Sequence, residues 1–300
     1  MIGFDIGTHE VKIVLWDGER IRKAIAVPTP EGLVDGGQIV SYTGMGDFLK
    51  ETLRKNQLRA RCCGVVLPSE YVYLRRLTIP AMTEEQLKVN LPYEFRDYLS
   101  RDKAGYFYDY VVNALIDGKD EEPAQLDLTA CAVFREIIRE YRKMFRRAGL
   151  KLKTAIPVEC AYANLLHLQQ DEERKEYCLV DLGHTATRLY IFAGTQFETT
   201  RETEVGLKQL SAPGKNTLEL YQTISTDVRK TVNFFGFNHR ESDIRDIWCC
   251  GGGAQIPQLL ETISQLLNLK VHTTESLLPA MDEKQENPAA FSAAIGVAIQ

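Results

Sequence analysis

A hairpin motif occurs twice in this chain, and the repeat restricts the folds open to it more than any other feature. Met1 to Val14 reads M-I-G-F-D-I-G-T-H-E-V-K-I-V, and Cys178 to Ile191 reads C-L-V-D-L-G-H-T-A-T-R-L-Y-I. Placing Asp5 on Asp181 also places Gly7 on Gly183, Lys12 on Arg188 and Gly18 on Gly194. Each copy predicts a buried strand, a D-x-G turn and a returning strand, because short apolar runs rich in β-branched residues flank the turn on both sides. Two such copies in 300 residues predict two related lobes, each aiming a carboxylate and a glycine turn at the cleft between them.

The chemistry of the turns suggests what such a cleft holds. Glycine permits positive φ and leaves backbone N–H groups open, so a phosphate can come close. Thr8 and Thr185 add hydroxyl groups. Asp5 and Asp181 suit a hydrated Mg²⁺, which keeps most of its water and takes one or two carboxylates. The same residues are also compatible with ordinary Asx-type hairpin turns. A third glycine turn, Gly251-Gly252-Gly253, lies between the apolar Ile247 to Cys250 and a helix expected over Ile256 to Leu267. A helix N-terminus there favours an anionic or ribose group. His9 and His184 follow the two hairpin turns and read as turn-exposed, and the five histidines show no metal-ligand spacing.

Composition excludes several classes. With 36 basic against 41 acidic residues the net charge is −5, so nothing global argues for nucleic acid. The basic stretch Lys143 to Lys153 reads as the solvated end of a helix stopped by Gly149. Seven cysteines, an odd number without C-x-x-C spacing, read as reduced and mostly buried thiols. No apolar run reaches the ~18 residues of a membrane span, so any membrane attachment is expected to run through a partner. No signal peptide is expected, because the chain enters a strand containing Asp5 directly. The length and the 44% hydrophobic content predict two domains with a sizeable core.

Along the chain, strands are expected over 21–27 and 37–40, then a helix capped by Asp47 and running through Leu49, Leu53 and Leu58, then a strand from Gly64 to Pro68. The character changes from Ser69 to about Arg142. Tyr71 to Pro80 alternates as a strand, and Thr83-Glu84-Glu85-Gln86 is a capping box opening a helix through Leu87, Leu91 and Phe95. Pro92 is expected to kink or restart that helix. Tyr106 to Val112 and Leu126 to Val133 supply two more strands around a solvated loop from Asp117 to Pro123. The aromatic residues of this stretch, Tyr93 to Tyr110, read first as its own core, with a docking surface as the alternative. Helices over 135–148, 158–169 and 224–235 follow, and Asn287 to Ile299 forms a closing small-residue helix with Pro288 in its first turn.

These residues resemble the actin-like ATPase superfamily, which includes actin, Hsp70, sugar kinases and FtsA. D-x-G-T at Asp5 to Thr8 is similar to the first phosphate motif, D-L-G-H-T at Asp181 to Thr185 to the second, and G-G-G-A at Gly251 to Ala254 to the adenosine motif. Within the superfamily, Arg76 to Leu87 followed by Tyr93-Glu94 resembles the R-x-I-x-L-P-x-M-x-x-E-x-L segment of the PilM family of type IV pilus assembly proteins. The resemblance implies an α/β fold of two actin-like, ribonuclease H-like lobes with an inserted small α+β subdomain. Its domains are 1–68 and 143–176 for the first lobe, 69–142 for the insertion, 177–286 for the second lobe and 287–300 for a helix packing back on the first. It implies an ATP site at Asp5, Gly7, Thr8, Lys12, Asp181, Gly183, His184, Thr185, Gly251, Gly252 and Gly253, with Mg held through water by Asp5 and Asp181. Glu159 takes the place of an acidic residue that polarises the attacking water in Hsp70-like relatives, and it reads equally as an ordinary polar residue near a helix start, where negative charge is favoured.

One departure from the family pattern sets a second expectation. After Gly206 the sequence passes through Pro213-Gly214-Lys215 to the next helix, where the family holds a longer helical subdomain contacting the adenosine. A second lobe shortened after 206 implies weakened or lost nucleotide binding and at most a weak ATPase. The expected function is a cytoplasmic adaptor or scaffold of a type IV pilus or related secretion machine, peripheral to the inner face of the membrane. Its partner is the cytoplasmic tail of a bitopic, PilN-like membrane protein, with self-association left open. The alternatives are a competent ATP/Mg switch and a small-molecule kinase, although no Asp/His acceptor constellation stands out for a kinase.

Overall fold

The computed structural model describes residues 1–100, 102–118, 123–169, 176–211, 216–239, 242 and 244–300. In the first lobe β1 (Ile2–Ile6), β2 (Glu10–Trp16) and β3 (Ile21–Pro28) form an antiparallel meander. A small hairpin of β4 (Val34–Asp35) and β5 (Gln38–Ile39) precedes α1 (Tyr42–Lys55), and β6 (Cys62–Leu67) then lies parallel to β1. The inserted module comprises β7 (Val72–Pro80), α2 (Glu84–Glu94), β8 (Tyr106–Ile116) and β9 (Gln125–Phe134). The chain returns through α3 (Arg135–Arg147) to β10 (Lys151–Pro157), parallel to β6, and α4 (Val158–His167) leads to the second lobe. There β11 (Glu176–Leu182), β12 (Thr187–Ala193) and β13 (Gln196–Thr203) are followed by α5 (Thr217–Asn238), β14 (Asp246–Cys250), α6 (Pro257–Leu267), β15 (Lys270–Thr273) and α7 (Ser292–Ala298).

The spatial orders β10-β6-β1-β2-β3 and β15-β14-β11-β12-β13 correspond strand for strand, so the repeat visible in two hairpins extends to two whole sheets. The central strands are covered on both faces, which explains why Ile2 and Phe4, and Cys178, Leu179 and Val180, read as apolar runs without alternation. The two lobes meet where α4 crosses α7. At that crossing Gly296 lies directly against the backbone of Ala161, and Asn164 donates to the Gly296 carbonyl at 2.8 Å. The small-residue character of the closing helix is thus a packing requirement: any side chain at 296 would stand where the Ala161 peptide is.

The module has its own three-stranded sheet, ordered β7-β9-β8, with Leu77, Ile79, Leu87, Leu91, Phe95 and Leu128 in its core. Thr83 and Gln86 form the expected capping box. Pro92 lies inside α2 without ending it; only two residues follow, so little helix is left to bend. Phe95 and Tyr106 are core residues as expected, but Tyr93 and Tyr98 are exposed, beneath Lys103 and Arg75 respectively. The module also touches the second lobe. Arg76 pairs with Asp127 inside the module, at 2.7 Å, and with Glu198 on β13, while Gln196 donates to the Asn113 carbonyl at 3.3 Å.

Several boundaries differ from the sequence reading. Ser41, not Asp47, caps α1, accepting from the Gly44 N–H, and Asp47 instead forms a two-pronged pair with Arg147 at 2.6 and 2.7 Å. The helix expected over 224–235 runs from Thr217 to Asn238. Residue 142 falls inside α3, whose buried Tyr141, Met144 and Phe145 join the first lobe's core. Pro213-Gly214-Lys215 and residues 119–122 of the Asp117 to Pro123 loop lie outside the described residues. Among the described residues, no helix is long and apolar enough to cross a membrane.

Candidate functional site

The two hairpin turns face each other across a cleft of about 680 Å³. Asp5, Gly7, Thr8 and Lys12 line it from the first lobe, and Asp181, Gly183, His184 and Thr185 from the second. Gly251 and Gly252 border it from the turn after β14, whereas Gly253 is buried against Leu182 and does not reach the cleft. Glu159 is also apart: it is buried at the start of α4 and is not among the residues lining the cleft, although the neighbouring Val158 is. Burial raises the Glu159 carboxyl above its ordinary value, against the opposing pull of its own backbone N–H and of Arg188.

The register of the strands explains how the charged groups meet. Asp5 stands opposite Lys12 across β1 and β2, and Asp181 stands opposite Arg188 across β11 and β12. The Lys12 ammonium is 3.7 Å from the Asp5 carboxylate. Burial alone would push the Lys12 pKa down, but the charges of Asp5, Asp181 and Glu10 outweigh it, and Lys12 stays protonated with a raised pKa. Burial raises Asp181, partly offset by Arg188 and Lys12, and the Tyr162 hydroxyl donates to its Oδ2 at 3.4 Å. Gly251, at φ 79°, brings its backbone against the Asp181 carboxylate, a position only a residue without Cβ can take. Asn287 holds this turn by donating to the Gly251 carbonyl at 3.1 Å.

Four groups at the site were not picked out as site residues from the sequence. Arg188 lines the cleft, donating to Glu202 at 2.7 Å and lying 3.8 Å from Glu70 of the opposite lobe. Its alignment with Lys12 was the available signal. Glu70 and Tyr162 carried no local motif. His9 was expected to be turn-exposed; it is exposed, yet its ring stacks on His184 across the cleft, with centroids 4.2 Å apart and planes 8° from parallel. Burial, followed by the nearness of His9 and Lys208, lowers the His184 pKa.

The donor set fits a hydrated Mg²⁺ carrying phosphates. Among the described residues no three His, Cys, Asp or Glu side chains cluster as a direct cage, but Asp5 and Asp181 bring two carboxylates to one cleft floor. That is the number such an ion uses when waters and phosphate oxygens complete its shell. Lys12 and Arg188 add two cations able to face phosphate, and Leu207 and Leu210 give the second-lobe wall an apolar portion.

The sequence profile described as type IV pilus assembly protein PilM matches residues 3–221. The chain belongs to the PilM family. The fold agrees: a solved PilM–PilN type IV pilus biogenesis complex aligns over 99% of this PilM-family chain and 97% of its own, with a TM-score of 0.81 at 18% identity. The cytoplasmic domain of EpsL, an inner-membrane component of the type II secretion system of Vibrio cholerae, aligns over 99% and 94% with a TM-score of 0.52 at 12% identity. The activator of 2-hydroxyisocaproyl-CoA dehydratase from Clostridium difficile, solved with bound ADPNP, aligns over 100% and 92% with a TM-score of 0.50 at 11% identity. These likenesses establish an actin-like fold for the PilM-family chain. A search of curated proteins gives no match.

Proposed function

We propose that this chain is a cytoplasmic adaptor of a type IV pilus or related secretion machine, and that it engages the cytoplasmic tail of a bitopic, PilN-like membrane protein. The family match over residues 3–221 carries the reading, and the likeness to a PilM–PilN complex along nearly the whole length of both chains supports it. The tail would lie between the inserted module and the first lobe, near Tyr71 to Pro80 and Tyr93 to Tyr98. Tyr93 and Tyr98 are exposed on the module, each with one ring face under a cation, Lys103 and Arg75 respectively. Calorimetric titration with a synthetic peptide of the partner's cytoplasmic tail tests this. Saturable heat at micromolar peptide is expected, and no heat from the intact chain would remove the reading.

The cleft supports a second assignment, Mg-nucleotide binding, carried by two carboxylates, two cations and three glycine turns converging on one space. Asp5 and Asp181 would hold the hydrated ion, Lys12 would face the phosphates, and Thr8 and Thr185 would add hydroxyl donors. When bound, the ion would neutralise phosphate charge and orient it. Leu207 and Leu210 would supply an apolar wall for the base. Mg-ATP should raise the melting temperature in a saturable way. Asp5→Ala and Asp181→Ala should each abolish that rise, and a wild-type chain without it would refute the assignment.

A further inference from the structure

Arg188 occupies on the second hairpin the position that Lys12 occupies on the first, yet its partners are arranged differently. Lys12 lies beside a carboxylate of its own lobe, Asp5. Arg188 is held from both sides: its Nε donates to Glu202 of the adjacent β13, while its other end lies 3.8 Å from Glu70, across the cleft. Glu70 belongs to the single 3₁₀ turn Ser69–Tyr71, which leads directly into β7, the first strand of the inserted module. Arg188, Glu70 and Glu202 all line the cleft, and the Arg188 side chain is only 26% exposed. A cation lining the cleft therefore stands within ion-pairing distance of a carboxylate at the root of the module.

A guanidinium presents a planar fork that suits carboxylate and phosphate alike, and a polyphosphate brings more negative charge than one carboxylate. Only one of them can take the end of Arg188 that now faces Glu70. We infer that Arg188 exchanges partners: a nucleotide polyphosphate entering the cleft takes Arg188 from Glu70 and so frees the Ser69–Tyr71 turn from the second lobe. This rests on the Mg-nucleotide reading of the cleft and adds a route from it to the module. Nucleotide occupancy then changes the mobility of the segment beside which the partner's tail is proposed to lie.

The exchange predicts opposite signs for its two ends. Glu70→Gln should tighten Mg-ATP several-fold, because Arg188 no longer has to leave a carboxylate, whereas Arg188→Met should weaken it about tenfold, the loss of one charge-assisted contact. Both are read by calorimetry on the full chain, with circular dichroism confirming that each variant is folded. Amide hydrogen exchange supplies the second readout. The Tyr71 N–H is bonded to the Pro68 carbonyl at 3.0 Å, and its exchange should accelerate when Mg-ATP is added to wild type but not to Arg188→Met. If Glu70→Gln weakens Mg-ATP or leaves it unchanged, or if Tyr71 exchange ignores nucleotide, the exchange of partners is refuted while the nucleotide site stands. If wild type binds no Mg-ATP, both fall.

Discussion

Gly296→Ala tests the claim that the lobes are joined by direct backbone packing. A Cβ at 296 would lie 2.6 Å from the carbonyl carbon and 3.0 Å from the Cα of Ala161, and closer still to its oxygen. Carbon atoms pack best at about 3.5–4.0 Å, so α7 would have to retreat by roughly 1 Å. Every residue of α7 is buried, and the helix also packs on β1, β2 and β6, so relief against α4 opens gaps elsewhere. Overpacking of this kind costs about 3 kcal/mol. The helix-propensity gain of alanine over glycine returns about 1 kcal/mol, leaving a net loss near 2 kcal/mol. At roughly 2–4 °C per kcal/mol for larger domains, the melting temperature should fall by about 4–8 °C. Gly236→Ala in α5 is the matched control, because nothing lies within 4 Å of a Cβ there, and it should gain up to about 1 kcal/mol. Thermal and urea unfolding followed by circular dichroism reads both variants. A Gly296→Ala variant as stable as wild type, or shifts of the same sign in the two variants, would refute the close-crossing argument.

Lys12→Met should destabilise the chain by about 2 kcal/mol by leaving Asp5 and Asp181 without their shared cation, and adding Asp5→Asn should recover most of that in urea titrations. A double variant no better than the single one would show that the carboxylates were never the issue. Arg76→Met addresses acid stability: the hydrogen bonds from Arg76 hold the buried Asp127 carboxyl below its ordinary range, opposed by burial and helped by Asn113. Because the folded value is depressed, this stabilisation is complete above the unfolded value of about 3.9 and is lost as pH falls through the folded one. Wild type should therefore lose more stability than Arg76→Met between pH 5 and the acid limit, and parallel urea midpoints across that window would contradict the pairing. Thr83→Ala should cost about 1 kcal/mol and raise hydrogen exchange in the first turn of α2, and unchanged exchange there would count against the cap.

The repeat was legible because its signal is local: a strand, a two-residue separation between Asp and Gly, and a returning strand fit within fourteen residues. The capping box at Thr83 and the stop at Gly149 were legible for the same reason. The start of α1 was hidden by Gly44 and Gly46, poor helix formers whose presence is a tertiary matter. A Cβ at 46 would stand 3.0 Å from the Met144 carbonyl of α3, so the glycine serves helix packing rather than helix formation. The ends of α5 escaped because its outer turns are exposed; Leu218 is 56% accessible and carries no burial periodicity. At the cleft, residues within the repeated hairpins could be found by alignment, whereas Glu70, Tyr162 and the His9–His184 stack depend on how the lobes face each other. No spacing along the chain encodes that meeting.

The contacts from the module to β13 alter which parts of the molecule travel together. By covalent connection the module hangs from the first lobe, at the Ser69–Tyr71 turn and at the junction of β9 with α3. By its Arg76–Glu198 pair and the Gln196–Asn113 hydrogen bond it is fastened to the edge strand of the second lobe. In kinematic terms it is a coupler with two pivots on one body and a clasp on the other. A rotation of the lobes about the α4–α7 crossing must then swing the module relative to the first lobe or shear the clasp. A few degrees at the hinge become a sideways displacement at the module's far face, so a partner seated between module and first lobe would register the state of the cleft as a change in the width of its own seat.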